Sequence, residues 1–479
     1  MQNTCDILIA NPAGVSIPRV GIVRTNIMIE GGRIMALTNS TDNVQASMKI
    51  NAEGKYVLPG IIDPHVHYGV YLPIEEAAKT ESKSAASGGV TTMMRMLRLA
   101  DRYNDNIIRH LQASRGTHHI DYGIHASILK PAQLEDIQFL RNVGINSYKI
   151  YANLRQEVNR ILVDLEPGLH SLHELDVNMT DSLVSAIIQE ASKRHSPVLV
   201  HAEDPLVCST LQKQKQLEGG VTGTKVTSLK TWSECRPPSS EANTISKVGK
   251  YAREFNSTIY FVHIGSSEAL DSIIAEKEKG HSVMYVETCP HYLTHTSDFP
   301  DITGKVVPPL RTKLDVQSMW YALRNGIIDT LGSDHVANRL SVKKGQGDIW
   351  TATAGFPGIA TMLPVLLSKG VNEDRISLER VTEVTSYNAA RIFGLYPKKG
   401  TIGIGSDADL TIVDLDLVRR VTPEVLQSYS DYSIYDGWEL QGWPVLTMVR
   451  GRVIMENSQV ENSTCGYGEF LHSPSSAIA

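Results

Sequence analysis

The sequence predicts an α/β fold: a TIM (β/α)8 barrel with a composite β-sandwich domain formed by the N- and C-terminal segments. Three observations predict it. Apolar, strand-like runs alternate with helical patterns through the middle of the chain. Strand-rich segments without helices stand at both ends, and the N-terminal one is too small to close a core of its own. The chain has 479 residues, too many for one small core.

Residues 6–10, 25–29 and 31–37 read as short strands separated by turn residues. Eight apolar runs follow, at 57–62, 90–96, 122–129, 147–151, 197–200, 258–262, 282–286 and 328–331. Between most of them lie helical patterns with charged faces, such as 74–87 and 181–194. Eight strands in βα alternation over roughly 340 residues match a barrel with insertions. Residues 400–405, 408–414 and 445–454 are strand-rich again. The predicted division is 1–54 and 397–457 for the sandwich, 55–396 for the barrel and 458–479 for a polar C-terminal arm.

Composition narrows the function. Hydrophobic residues make up 42% and charged residues 20%, with a formal net charge of −6. That leaves no basic footprint for nucleic acid and no cationic face for a membrane. The cysteines are Cys5, Cys208, Cys235, Cys289 and Cys465, widely spread and without a Cys-x-x-Cys pair. They predict no disulfide framework and a reducing compartment. No basic start followed by an apolar core is present, and no run of about 18 apolar residues occurs, so a cytoplasmic location is expected.

The chemistry starts at His65 and His67. In a strand, residues two apart point to one face, and two imidazoles on one face at a strand end can chelate a metal. His-x-His alone is a weak signal; it is more often a pair of surface or core histidines. Later strands strengthen it. Lys149, His201, His263 and Asp334 each stand where a strand ends, and in a parallel barrel these ends meet at one mouth. An ammonium cannot ligate a metal. A lysine carbamate can, and it can bridge ions about 3.5–4 Å apart. A lysine snorkelling at the rim or paired with Asp334 fits the spacing equally well.

Several stretches then occur in one order: Pro59-Gly60-Ile61-Ile62-Asp63-Pro64-His65-Val66-His67, Tyr148-Lys149-Ile150-Tyr151, His201-Ala202-Glu203, His263-Ile264-Gly265-Ser266, Glu287-Thr288-Cys289-Pro290-His291, Pro308-Pro309-Leu310-Arg311 and Gly332-Ser333-Asp334-His335. The series resembles the cyclic-amide branch of the amidohydrolase superfamily: dihydropyrimidinase/hydantoinase, allantoinase and dihydroorotase. The resemblance implies two Zn2+ ions per chain. His65, His67 and Asp334 would hold the more buried ion, and His201 and His263 the other. N6-carboxylated Lys149 and a hydroxide would bridge them. The hydroxide would attack the ring carbonyl, and Asp334 would carry its proton to the leaving nitrogen. Tyr151, Pro308 and Asn338 are the expected substrate contacts, and a homotetramer or homodimer the expected assembly.

Which cyclic amide is less clear-cut in the sequence. Dihydroorotase-like chains carry Leu-Arg after His-x-His, where this one has Tyr68-Gly69. Hydantoinase-like chains carry a Tyr five residues after the bridging lysine, where this one has Leu154. Glu203-Asp204 and Trp232 before Arg236 resemble allantoinases. The expectation is therefore a dihydropyrimidine- or hydantoin-like cyclic amide, with allantoinase next, then dihydroorotase or a non-catalytic structural oligomer. The complete ligand set favours an enzyme. His291 and His335 read as supports rather than ligands, His118-His119 as surface, and His125 as barrel interior or a support. Arg95, Arg98 and Arg102 read as exposed helix-start charges, the alternative being contact with an anionic or carbonyl-rich substrate.

Overall fold

A computed structural model describes residues 4–42, 44–155, 158–222 and 226–472. At its centre eight strands run parallel, numbered here as barrel strands β1 (Ile61–His67), β2 (Val90–Leu97), β3 (Asp121–Ser127), β4 (Tyr148–Tyr151), β5 (Val198–His201), β6 (Thr258–Phe261), β7 (Val283–Thr288) and β8 (Thr330–Leu331). Each pairs with the next. β8 pairs with β7 through Thr330 and Leu331, and just beyond it His335 and Val336 pair with Val66 and His67 of β1. One short stretch of chain therefore closes the barrel, and Asp334 stands in it. Every residue of β1, β2 and β3 is buried, since one face meets the barrel interior and the other the helices.

Both chain ends build a seven-stranded sheet in which Leu410–Arg420 pairs with Tyr56–Pro59, which pairs with Gly14–Ile17. A four-stranded sheet containing Thr4–Ala10 and Asn26–Glu30 covers it. Ile7, Ile9, Ile27 and Ile29 from the small sheet share one core with Val57, Leu410, Ile412 and Met448 from the large one. The period of two in each strand puts these side chains on one face.

The structure differs from the sequence reading in four places. The run 57–62 is two strands, not one. Tyr56–Pro59 belongs to the sandwich and β1 begins at Ile61. Gly60 makes the transfer: its N–H donates to the Asp409 carbonyl at 2.7 Å, and a Cβ there would lie 2.2 Å from Thr91 Oγ1. Residues 400–405 form turns, with Gly400 and Gly405 at positive φ. A hairpin, Arg160–Leu162 with Glu174–Asp176, follows β4 where no strand was expected. Finally, the segment up to His472 is no free arm. Gln459–Val460 adds an edge strand, and Tyr122 bonds to Glu469 and Leu471. The remainder of the predicted arm, 473–479, lies outside the described residues. Among those residues no helix is long and apolar enough to cross a membrane.

Barrel base and sandwich are tied by charge. The buried Lys399 ammonium lies 2.5 Å from Asp121, 3.0 Å from Asp407 and 2.6 Å from Asp409. Arg450 also pairs with Asp121. Lys399→Met should lower unfolding free energy by about 3–5 kcal/mol, because it strands buried carboxylates. Chemical denaturation measures this, and an unchanged midpoint would show the cage to be dispensable.

Candidate active site

Six side chains predicted from the sequence line one cavity of about 480 Å3 at the C-terminal ends of the barrel strands: His65, His67, Lys149, His201, His263 and Asp334. Local structure explains their aim. His65 and His67 share a face at the end of β1, as Lys149 and Tyr151 do in β4. His201 is the last residue of β5. His263 and Asp334 turn out of their strands at φ 46° and 49°, a left-handed conformation that His and Asp adopt more readily than most side chains.

The ligand atoms of His65, His67 and Asp334 lie within 4.8 Å of one another. Nε2 of His65 is 3.3 Å from Asp334 Oδ1, and Nε2 of His67 is 3.2 Å from the same oxygen. The His65 tautomer follows from its other nitrogen. Nδ1 lies 2.7 Å from Glu287 Oε1, which also accepts the His263 backbone N–H at 3.0 Å. Nδ1 is therefore the donor, and Nε2 carries a lone pair toward a carboxylate oxygen. Protonation does not relieve that contact, because burial pushes His65 and His67 well below the usual imidazole range. Two acceptors facing each other away from water are stable when a cation lies between them. The residues present fit a divalent metal.

The second pair is built similarly. The rings of His201 and His263 stand 4.5 Å apart, and those of His65 and His263 5.5 Å apart. His201 donates Nε2–H to Glu203 at 2.7 Å, leaving Nδ1 with the lone pair. Glu203 is held at about 2: burial raises it, but Arg236, 3.0 Å away, and His201 outweigh burial. Lys149 is fully buried, and its Nζ has no hydrogen-bond partner. Burial pushes its ammonium down to about 7, against the upward pull of Glu287 and Asp334. Near neutral pH a large fraction is then free amine.

Other expectations fare differently. Tyr151 lines the cavity, with its ring 5.2 Å from Lys149 Nζ. Leu154 lines it too, where a hydroxyl was missing from the sequence. Pro308 does not: its carbonyl accepts the Tyr292 hydroxyl at 2.6 Å, and Val306 and Val307 form the wall instead. Nor does Asn338, which is fully buried and accepts the Tyr432 hydroxyl at 2.6 Å. His118 and His119 are buried rather than on the surface; His118 stacks on Tyr122 and meets the Tyr68 hydroxyl. His125 is spent on Ser147 and the Pro64 carbonyl, and His335 on Glu81. Arg95 is buried and Arg98 faces the cavity, so neither is an exposed charge.

Sequence reasoning missed Glu287, which sets the His65 tautomer, and the hairpin whose Arg160, Ile161, Leu162 and Glu174 roof the cavity. A carboxylate at the end of β7 and the Pro167-Gly168 turn between the hairpin strands were the available signals.

The amidohydrolase family model matches residues 56–454. The chain belongs to the amidohydrolase family. It is 31% identical to the L-hydantoinase of Paenarthrobacter aurescens, over 97% of this chain and 98% of that one. It is also 31% identical to the D-hydantoinase of Ralstonia pickettii, over 96% and 98%. The crystal structure of dihydropyrimidinase from Brevibacillus agri NCHU1002 superposes with a TM-score of 0.85 at 28% identity, covering 98% of this chain and 99% of that one.

Glu287→Gln should weaken metal binding by about 10–100-fold, since the ring it orients loses its carboxyl partner. Competition with a chelator measures this. Unchanged affinity would show that Glu287 does not orient His65.

Proposed function

We propose that this amidohydrolase opens the ring C–N bond of a cyclic amide of the hydantoin or dihydropyrimidine kind, using two zinc ions. One observation carries the reading: neutral imidazole lone pairs and an Asp334 oxygen converge at a barrel mouth beside a buried, partly unprotonated lysine. The hydantoinase and dihydropyrimidinase relatives support the substrate class.

His65, His67 and Asp334 would hold one ion, His201 and His263 the other, with Lys149 as a carbamate between them. Lysine in this state reacts with CO2, since its amine keeps a lone pair near neutral pH, and the product is an anion where the site has an excess of lone-pair nitrogens. The ions would acidify water and polarise the amide carbonyl. The protein's own groups do the rest. Asp334 takes the proton of the attacking water and delivers it to the amide nitrogen, which is too poor a leaving group to depart unprotonated. Tyr151, which lines the cavity, would donate to the carbonyl oxygen as charge develops there. Val306, Val307 and the hairpin exclude bulk water from the ring.

Protein purified in zinc and bicarbonate should contain about two zinc ions per chain; fewer than one would overturn the binuclear reading. Lys149→Ala should lose metal and turnover, and short carboxylic acids should restore part of both. Full metal retention without rescue would remove Lys149 from the bridge.

Asp334→Asn should keep most of its metal and lose about 10²–10⁴-fold in turnover. An active variant would remove the proton-transfer role. Hydantoin, dihydrouracil, allantoin, dihydroorotate and succinimide form the substrate panel.

A further inference from the structure

Three arginines line the cavity, and two are neutralised by their own carboxylates. Arg236 lies 3.0 Å from Glu203, and Arg160 pairs with Asp176 and Glu174 at 3.6 and 3.7 Å. Arg98 is different. Among the described residues its only neighbouring carboxylate is Asp164, 3.8 Å from its Nε. Asp164 is already engaged: Oδ1 lies 3.4 Å from Arg95, and Oδ2 accepts the Arg98 backbone N–H at 2.8 Å. Two guanidinium groups thus share one buried carboxylate, leaving one positive charge uncompensated. The Arg98 side chain is 12% exposed, and its buried Nε has no hydrogen-bond partner. The backbone is clamped as well, because the Asp164 N–H donates to the Arg98 carbonyl at 2.9 Å. A largely buried guanidinium on a clamped backbone matches a planar carboxylate, which offers two acceptors and a charge, better than a lone carbonyl oxygen.

We propose that Arg98 makes this cavity selective for a cyclic amide that carries a carboxylate. The inference rests on the cyclic-amide reading above and narrows it to anionic rings. The metal centre would hold the scissile amide, and Arg98 the acidic substituent.

The test compares hydantoin-5-acetic acid with its neutral isostere hydantoin-5-acetamide on the zinc-loaded full chain. The acid should have the higher kcat/KM by about 10–100-fold, the range expected for a charge-assisted hydrogen-bonded pair. Arg98→Gln should abolish the preference, and Arg98→Lys should retain part of it, keeping the charge without the fork. Equal losses on both compounds, or a wild-type preference for the amide, would overturn the proposal. Hydrolysis of neither compound would overturn the cyclic-amide reading instead. Calorimetric binding then decides the carboxylate site separately: tighter binding of the acid, lost in Arg98→Gln, supports it, and equal binding rejects it.

Discussion

One contact governs the barrel mouth: a lone-pair nitrogen of His65 set 3.3 Å from a carboxylate oxygen of Asp334, both out of water. Left alone it is repulsive. It persists because Glu287 holds the His65 ring from behind and because Asp334 stands in the stretch of chain that closes the barrel. Neither group is free to turn away. The site is thus preorganised for a cation by the same hydrogen bonds that complete the fold.

The supporting network is as informative as the ligands. Glu287 takes three donors, from His65, His263 and Tyr260, so one carboxyl group on β7 links β1 to β6 and the turn that follows it. Glu203 links His201 to Arg236, and Arg236 lies over the Trp232 ring. Glu203, Trp232 and Arg236, which resembled allantoinases in the sequence, therefore form one buried unit behind a metal-capable histidine. They report on how His201 is held more than on which ring is cleaved.

Another part of the cavity wall is built around Asp164 and its arginines. Tyr68-Gly69 stand where dihydroorotase-like chains carry Leu-Arg: Gly69 offers no side chain, and Tyr68 packs against Arg95 and His118 instead of facing the cavity. Arg95 is thereby committed to the wall, where it shares Asp164 with Arg98. The hairpin Arg160–Leu162 and Glu174–Asp176 supplies apolar and charged contacts over the opening. Similarity to an L- and a D-hydantoinase alike is consistent with a common centre and a variable rim.

By itself the sequence determined the barrel, the composite sandwich and which polar side chains stand at the barrel mouth. These depend on local periodicity and on residue types at strand ends, both of which survive in one dimension. His65-x-His67 obeys the period of two, and the apolar runs that became β1 to β8 stand out against amphipathic helices. Only the tertiary structure decided what depends on neighbours distant in the chain. Gly60 ends one strand because Thr91 and Asp409 crowd it. His118 is buried because Tyr68 and Tyr122 meet there. Pro308 and Asn338 leave the cavity because Tyr292 and Tyr432 claim their oxygens. Arg98 carries a surplus charge because Arg95 reaches Asp164, which lies 66 residues from Arg98 along the chain. Burial and pairing set each of these outcomes, and neither is written in the spacing of residues along the chain.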